Sequence, residues 1–565
     1  PEEKSPVHTV VEPEQTGIYV VGVDGSGGKW WGKPYPNIGS TAWSPDGRSI
    51  AVLSMNPKIG FHYVKSQIDV VDEQGTRLVA KIDNAASGLA WTDGGATLVF
   101  LSTTTSVLTS DHVWTVAASG GTPVDRTPKL AGHNARHPER RADLVGPESK
   151  DPGFNSETLA SQSMPIDRTP TLAGHNARHP ERRADLVGPE SKDPGFNGET
   201  LASQSMPIDR TPRLAGSAMF LVGDARGNVW VNVARGVETV VDSYRDGVLT
   251  PVYRNPGGVI AGPTVSELAA NGSSNLFGVS DPEHMPDISI LDGGKLKRLT
   301  AENDDAVAKI DFGPTKVIHW TSKEGIKLEG IASFPPGFVE GRKYPFLVLP
   351  HGGPEGNDTL YLDPFPKIFA GMGYVVIQPQ YRGSTGYGSE FMDAIYQHFG
   401  DRAYRDVDSA TDYAIAQGWA DPNRLAIMGW SAGGFMTSWT VTQTHRYKAA
   451  IEGAGITDWG SFIWTSDLQQ IDYDARWPGK EPQFFHQFSA VDFADQVTTP
   501  LLILHGAADR RVPTFQGQEY FEALLANGKT ARMVTYPGSG HFPRLWEQRR
   551  DLCAEMSAWL KKYNP

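Results

Sequence analysis

The fold of the C-terminal half is decided by the stretch LAIMGWSAGG, residues 425–434. Residues 425–428 are an apolar run typical of a buried strand, and a serine between glycines, Ser431, comes directly after it. The residues that follow predict a helix. A serine on a sharp turn between strand and helix projects its hydroxyl from the sheet edge, and the glycines remove side chains that would collide there. The stretch therefore predicts a nucleophile elbow.

Strands and helices alternate around this turn, from residue 315 to the C-terminus. The predicted strands are 346–349, 375–378, 425–428, 449–452, 501–504 and 533–536, and the predicted helices are 405–416, 434–444, 516–526 and 544–562. Such alternation is typical of a mostly parallel sheet covered by helices. We therefore expect residues 315–565 to form an α/β-hydrolase domain.

Two further residues complete a catalytic triad with the serine. Asp509 follows the predicted strand 501–504, and His541 follows the predicted strand 533–536. The chain order Ser, Asp, His is that of α/β-hydrolases, in which the histidine takes the serine proton and the aspartate orients the imidazole. Alternatives are a turn aspartate that caps a helix and an exposed loop histidine.

An oxyanion hole needs two N–H donors near the serine. The N–H of Ala432 is one candidate, because it follows the nucleophile directly. The loop HGGP at 351–354 follows an apolar strand and supplies the other, with Gly353 preferred and Gly352 as the alternative. A Gly-Gly turn lets the backbone approach the substrate oxygen closely.

The first half has the pattern of short strands between turns. The unit AWSPDG at 42–47 returns as AWTDGG at 90–95, a separation close to the length of one propeller blade. Regularly spaced short strands with Asp-Gly turns predict a sandwich, barrel or propeller. We expect an irregular β-propeller over residues 1–314, with a sandwich as the alternative.

A tandem duplication interrupts this half at residues 125–208. Residues 125–166 recur as 167–208 with two differences, Lys129/Thr171 and Ser156/Gly198. Each 42-residue unit is rich in proline and poor in aromatic residues, so we expect an inserted loop rather than a blade.

Metal and cysteine chemistry are not expected. Histidine pairs spaced by four residues occur at 133 and 137 and again at 175 and 179, but without a helix pattern or a placed carboxylate. The single cysteine, Cys553, lies in a predicted helix and excludes an intrachain disulfide. We expect neither a metal nor a cofactor.

Composition and charge disfavour two classes of protein, those that bind nucleic acids and those that span a membrane. The 565 residues carry a formal net charge of −13, which disfavours nucleic-acid binding, and no apolar run is long enough to cross a membrane. The chain begins at Pro1 without a signal-like stretch, so we expect a processed or partial chain. Its location is undetermined: cytoplasm and bacterial periplasm both fit. The oligomeric state stays open and includes a homo-oligomer.

Five motifs in order resemble the catalytic domain of the prolyl oligopeptidase family of serine peptidases. They are HGGP at 351–354, YRGSTGYG at 381–388, GWSAGG at 429–434, DRRVP at 509–513 and GH at 540–541. The resemblance is closest to the acylaminoacyl-peptidase and dipeptidyl-peptidase branches. It implies a peptidase that hydrolyses short or N-acylated peptides through an acyl-enzyme on Ser431, with a propeller over the active site.

The same resemblance implies substrate-binding residues. Arg511 is expected to hold a substrate carbonyl, although a surface salt bridge is the alternative. Val512, Trp459, Phe462 and Trp464 are expected to line an apolar pocket before the scissile bond, although aromatic residues there could equally be core.

Three other functions stay open. A carboxylesterase would use the same triad and oxyanion hole. A dipeptidyl aminopeptidase is less favoured, because the sequence shows no clear helix with paired glutamates for a free N-terminus. A scaffold with an inactive hydrolase domain is disfavoured by the intact serine, aspartate and histidine.

Overall fold

The computed structural model describes most of the chain outside the duplicated segment. The described residues are 16–21, 27–35, 38–56, 65–82, 86–102, 112–126, 217–223, 229–245, 248–255, 259–261, 275–292, 295–467 and 482–565. Among these residues, no helix has the length and apolar character that a membrane span requires.

Antiparallel sheets of consecutive strands make up the N-terminal half. Strands β1 (Thr16–Val20) and β2 (Lys29–Tyr35) form a pair, and the described residues then form four sheets of four strands, β3–β6, β7–β10, β11–β14 and β15–β18. Their bounds are β3 (Ile38–Trp43), β4 (Ile50–Asn56), β5 (Lys65–Asp72), β6 (Gly75–Ile82), β7 (Ala86–Thr92), β8 (Thr97–Ser102), β9 (His112–Ala117), β10 (Val124–Asp125), β11 (Ser217–Gly223), β12 (Val229–Arg235), β13 (Glu238–Arg245), β14 (Val248–Asn255), β15 (Val259–Ala261), β16 (Asn275–Ser280), β17 (Asp287–Asp292) and β18 (Lys295–Arg298).

The short repeat found in the sequence marks the first hairpin of two successive sheets. Its first copy spans the turn from β3 to β4, and its second copy spans the turn from β7 to β8. The indole N–H of Trp91, in the second copy, donates to the carbonyl of Ala42 in the first copy at 2.9 Å. Leu53 and Phe100 are buried in one apolar core that the two sheets share. The repeat therefore reflects one sheet per unit.

Along the chain, the duplicated segment separates the strands of two of these sheets. Strand β10 ends at Asp125 and belongs to the sheet β7–β10, whereas β11 begins at Ser217 and belongs to the sheet β11–β14. Residues 127–216 lie outside the described residues, and with them the predicted loop from residue 127 onward and its histidines.

The C-terminal half contains one eight-stranded sheet in the order β19-β20-β22-β21-β23-β24-β25-β26. Strands β19 and β20 pair antiparallel with each other, and β20 pairs antiparallel with β22, while the other neighbours are parallel. The bounds are β19 (Thr315–Thr321), β20 (Lys327–Ser333), β21 (Tyr344–Val348), β22 (Val375–Gln380), β23 (Ala420–Trp430), β24 (Ala449–Gly453), β25 (Leu501–Gly506) and β26 (Ala531–Tyr536). This topology confirms the predicted α/β-hydrolase domain.

Helices cover both faces of this sheet. The short helix α1 (Asp304–Val307) precedes the sheet. The helices that follow are α2 (Pro364–Gly371), α3 (Ser389–Asp393), α4 (Tyr404–Ala416), α5 (Ala432–Gln443), α6 (Trp459–Thr465), α7 (Pro482–Gln487), α8 (Phe515–Ala526) and α9 (Trp546–Tyr563). Successive strand residues face opposite sides, so Ile427 packs in the core with Phe435 of α5, whereas Met428 packs in the core with Trp559 of α9. Burial on both faces explains why the central strands β22, β24 and β25 are mostly apolar in sequence.

One turn of the N-terminal half contacts the hydrolase domain directly. The turn between β12 and β13 carries Gly236, whose N–H donates to the carbonyl of Gly386 at 2.8 Å. Next to it, the carbonyl of Val237 accepts from the N–H of Leu360 at 3.0 Å. The Val237 N–H and the Tyr387 hydroxyl both donate to the carboxylate of Glu329, at 3.0 and 2.6 Å. These bonds support the segment that follows the loop 351–354.

Candidate active site

Ser431 lies on a strained turn at the end of β23. Its φ and ψ are 60° and −121°, a conformation that glycine adopts far more readily than serine. The Ser431 N–H donates to the carbonyl of Gly453 on the neighbouring strand at 2.8 Å, and its own carbonyl accepts from Phe435 in α5 at 2.9 Å. The turn is therefore held from the sheet and from the helix, as the predicted nucleophile elbow requires.

The glycines around this turn are needed because backbone segments touch there. A Cβ added to Gly429 would overlap the carbonyl of Gly433, and one added to Gly433 would overlap the carbonyl of Pro350. The first overlap would open the turn, and the second would push α5 away from the loop that starts at Pro350. The spacing Gly-x-Ser-x-Gly thus follows from packing at both ends of the elbow.

Asp509 and His541 meet on the loops after β25 and β26. The Nδ1 atom of His541 lies 2.7 Å from Oδ2 of Asp509, and the carboxylate side chain is fully buried. The other carboxylate oxygen accepts from the backbone N–H groups of Arg511 and Val512, at 2.9 and 3.1 Å. The carboxylate is an acceptor, so the imidazole proton lies on Nδ1 and leaves Nε2 free to accept a proton.

The electrostatic surroundings keep Asp509 ionised. Burial would raise its pKa, but hydrogen bonds from His505 and His541, and from the Val512 N–H, outweigh burial and hold the pKa of Asp509 well below its usual value. His505 lies behind the carboxylate, with its Nε2 atom 3.5 Å from Oδ2 of Asp509 and 2.8 Å from the carbonyl of Val512. A carboxylate with this pKa stabilises an imidazolium at His541.

Trp430 joins the serine turn to the histidine loop. Its indole N–H donates to the backbone carbonyl of His541 at 2.9 Å, and its ring stacks on Phe542 with centroids 5.4 Å apart and planes inclined by 22°. Because Trp430 directly precedes Ser431, these contacts bring the two predicted catalytic loops together. A direct hydrogen bond between Ser431 and His541 is not among the contacts of the described residues.

The loop HGGP packs against the elbow. A Cβ added to Gly352 would lie 3.0 Å from the carbonyl oxygen of Trp430 and 3.4 Å from Cβ of Ser431. Ala432, the other predicted donor, is buried as the first residue of α5. The two predicted donor segments therefore flank the serine, and the donation to an oxyanion stays a prediction.

The predicted substrate-binding residues fall into different environments. Trp459 and Phe462 are fully buried and pack in the core beside Phe435, and Val512 is also buried. Trp464, in the same helix α6, is 61% exposed. The aromatic pocket stays a prediction, and the burial of Trp459 and Phe462 agrees with the alternative of ordinary core.

Arg511 forms an ion pair on the surface. Its Nε atom lies 2.6 Å from a carboxylate oxygen of Asp467, and both side chains are nearly half exposed. The Ser466 hydroxyl donates to the carbonyl of Arg511 at 2.6 Å, which ties the segment after α6 to the loop of Asp509. The Arg511 guanidinium is thus paired with Asp467, which agrees with the alternative of a surface salt bridge.

Sequence reasoning missed the polar groups behind the triad. Glu452 and His505 are fully buried on the adjacent strands β24 and β25, and burial raises the pKa of Glu452 to about 7, opposed by His505 and the Gly455 N–H. A glutamate and a histidine within apolar strands could have indicated these groups, because such residues are rarely buried without a polar partner.

The sheet, the elbow and the Asp509–His541 pair define an α/β-hydrolase domain. Residues 362–564 match the sequence model of the prolyl oligopeptidase family. This chain therefore contains a domain of that family, which confirms the resemblance that the five motifs indicate.

Individual relatives agree with this assignment. An uncharacterized peptidase YuxL of Bacillus subtilis is 35% identical over 275 residues, which cover 47% of this chain and 41% of the relative. The acylamino-acid-releasing enzyme of Sus scrofa is 31% identical over 254 residues, which cover 42% of this chain and 34% of the enzyme. The matches thus span less than half the length of these relatives.

Two solved structures superpose on this chain. A puromycin-hydrolyzing peptidase of Mycobacterium tuberculosis superposes with a TM-score of 0.63 at 20% identity, covering 96% of this chain and 73% of that one. An acylaminoacyl peptidase of Pyrococcus horikoshii superposes with a TM-score of 0.59 at 16% identity, covering 97% and 84%. At these identities the likeness concerns the fold alone.

Proposed function

We propose that this protein is a serine peptidase that hydrolyses short or N-acylated peptides through an acyl-enzyme on Ser431. The observation that carries the proposal is the 2.7 Å hydrogen bond between His541 and the buried carboxylate of Asp509, next to a serine on a strained turn. A serine hydroxyl is a poor nucleophile near neutral pH and needs an adjacent base. His541 is the base that this arrangement provides.

The reaction follows from these positions. Nε2 of His541 takes the proton of the Ser431 hydroxyl while its oxygen attacks the carbonyl carbon of the scissile bond. The negative charge that develops on the carbonyl oxygen is stabilised by the N–H groups of Ala432 and Gly353. The imidazolium then gives its proton to the leaving amine, and water repeats the sequence to release the acyl group.

The substrate class rests on the relatives. The enzyme from Sus scrofa is named for the release of acylamino acids, and it is 31% identical to this chain over 254 residues. The same machinery cleaves esters, so the amide preference is the part of the proposal that needs a direct test.

Arg511 is proposed to hold a substrate carbonyl, as the resemblance implies. Its partner Asp467 is exposed, and an exposed ion pair contributes only about 0.2–1 kcal/mol. A substrate carbonyl that offers a hydrogen bond in a drier environment can replace such a partner at little cost.

The N-terminal half is proposed to be a β-propeller, with its boundary to the hydrolase domain at residues 314 and 315. A propeller blade is one antiparallel sheet of four consecutive strands, and the described residues of this half form four such sheets. The turn at Gly236 touches the loops beside the active site, which supports a role in limiting access to short peptides.

The test compares amide and ester substrates on the same protein. We expect the wild-type protein to cleave N-acetyl-amino-acid anilides with a kcat/KM far above that of Ser431→Ala, and a fluorophosphonate probe to label Ser431. Ester turnover with anilide turnover no better than that of Ser431→Ala would favour a carboxylesterase. Absence of labelling in the folded wild-type protein would contradict a serine hydrolase altogether.

A further inference from the structure

The imidazole of His351 is held next to the predicted oxyanion loop by three contacts, and a fourth contact holds its backbone. Its Nδ1 atom lies 2.8 Å from the carbonyl oxygen of Gly352, and its Nε2 atom lies 2.7 Å from the hydroxyl of Ser384. The ring stacks on Tyr381 with centroids 4.4 Å apart and planes inclined by 16°. The Tyr381 hydroxyl also donates to the His351 carbonyl at 2.7 Å. The ring and the backbone of His351 are therefore both fixed.

The partners determine which ring nitrogen carries the proton. A carbonyl oxygen can only accept, so the Nδ1 atom that faces Gly352 must be the protonated one. With Nδ1 protonated, the Ser384 hydroxyl is the donor to Nε2, and its oxygen also lies 2.7 Å from the carbonyl of Tyr381, which competes for the same proton. Burial lowers the pKa of His351 to about 4, although the bond to Gly352 opposes this, so the ring is neutral at physiological pH and has one N–H to give.

The bond to Gly352 also orients the N–H of the next residue. The carbonyl of Gly352 and the N–H of Gly353 belong to one planar trans peptide and point in opposite directions. A hydrogen bond that holds the carbonyl toward His351 therefore turns the Gly353 N–H away from His351. Gly352 packs within 3.4 Å of the Ser431 side chain, measured from an added Cβ, so this peptide lies beside the nucleophile.

We infer that His351 is a positioning residue for the oxyanion hole: by holding the Gly352 carbonyl, it directs the Gly353 N–H toward the oxygen that becomes charged. The inference rests on the proposed function, because that oxygen belongs to the acyl group on Ser431. It also gives the motif at 381–388 a role, since Tyr381 and Ser384 hold the imidazole. Without this bond the Gly352–Gly353 peptide could rotate, because glycine restricts the backbone least.

Two amide variants separate the two ring nitrogens. In His351→Asn the amide nitrogen stands as many bonds from Cα as Nδ1, so the bond to Gly352 can be kept while the bond to Ser384 is lost. In His351→Gln the amide nitrogen corresponds to Nε2, so the opposite bond is kept. His486→Gln, at a histidine that is 75% exposed in its side chain, is the matched control.

The readouts are the rate of Ser431 labelling by a fluorophosphonate probe, the kcat and KM of the best anilide or ester, and the pH profile of kcat. We expect His351→Gln to lower the labelling rate and kcat by about 100-fold, the cost of one misplaced oxyanion donor. KM and the inflection of the pH profile should stay unchanged, because His541 is untouched. His351→Asn should retain rates within about tenfold of the wild type.

The outcomes separate this inference from the proposed function. Equal losses in both variants, or a His351→Gln rate within about threefold of the wild type, would overturn the inference while leaving the peptidase intact. A wild-type protein that is not labelled would overturn the proposed function, and the inference with it. If His351→Gln does not fold, Ser384→Ala replaces it. A labelling rate and kcat that fall several-fold at an unchanged melting temperature support the inference, and unchanged rates contradict it.

Discussion

The indole N–H of Trp430 donates a 2.9 Å hydrogen bond to the carbonyl oxygen of His541. The residue before the nucleophile thus holds the backbone of the base. Replacing Trp430 by Phe keeps an aromatic ring against Phe542 but removes the donor. We expect kcat to fall by about fivefold, because one hydrogen bond of this kind contributes about 1 kcal/mol to holding the loop. Steady-state kinetics check this.

The matched control for that variant is Trp30→Phe, at a tryptophan that is 69% exposed in the N-terminal half. It should leave kcat unchanged. A Trp430→Phe variant as active as this control would show that the stacking on Phe542 suffices to place the loop.

Asp509→Asn should lower kcat by roughly 10⁴-fold, because the amide favours the wrong tautomer of His541. The same variant should also be less stable than the wild type at pH 7. The pKa of Asp509 is depressed in the folded protein, so its stabilising contribution is present above the unfolded value and is lost as the pH falls through the folded value. Urea unfolding at pH 7 and at about pH 3, below the unfolded value, measures the gap, which should narrow at the lower pH. A gap that widens there would contradict the assigned direction.

Ser431→Gly and Ser431→Ala should both abolish turnover, but they should differ in stability. At a φ of 60° an alanine keeps the backbone strain and a glycine relieves it. We expect the glycine variant to be more stable than the alanine variant by about 1–2 kcal/mol. Thermal unfolding of both proteins decides the matter, and an alanine variant of equal or higher stability would show that the turn is not strained.

Glu452→Gln should stabilise the protein more at pH 8 than at pH 5. Burial raises the pKa of Glu452 to about 7 in the folded protein, well above its value in the unfolded chain. The neutral carboxyl therefore imposes no penalty on the free energy of unfolding below the unfolded pKa. As the pH rises toward 7 the wild type loses stability, by roughly 3 kcal/mol at most. Urea unfolding of the variant against the wild type gives the difference. Glu522→Gln, at an exposed glutamate in α8, should show no such trend.

The catalytic domain was readable from the sequence because its strands are buried on both faces. Residues 425–428 and 501–504 read as continuous apolar runs, and both lie in strands of the observed sheet. Strand β19, at the edge of the sheet, escaped prediction because exposed residues interrupt its apolar pattern, and β20 escaped because Glu329 and Gly330 break its apolar run. The turn at Ser431 was predictable because it depends on local residues only, namely a serine between glycines that follows an apolar strand.

What the sequence could not show are contacts between residues that are far apart along the chain. The bond from Trp430 to His541, and the place of His505 behind Asp509, arise only when loops from different strands meet. The burial of Trp459 and Phe462 is of the same kind, since an aromatic pair in a short helix can face either a cleft or a core.

The bonds between the turn at Gly236 and the segment near Leu360 bear on any attempt to shorten this protein. A fragment that starts at residue 315 would keep every proposed catalytic residue, yet it would lose the donor to Gly386 and the acceptor of Leu360. Glu329 would lose the Val237 N–H as well. The carbonyl of Gly386 and the N–H of Leu360 would then be exposed to water, and Leu360 lies in the segment that follows the loop of Gly353. We therefore expect a fragment that starts at residue 315 to be less stable than the full chain, and a shortened version that retains the strands of this turn to keep these bonds.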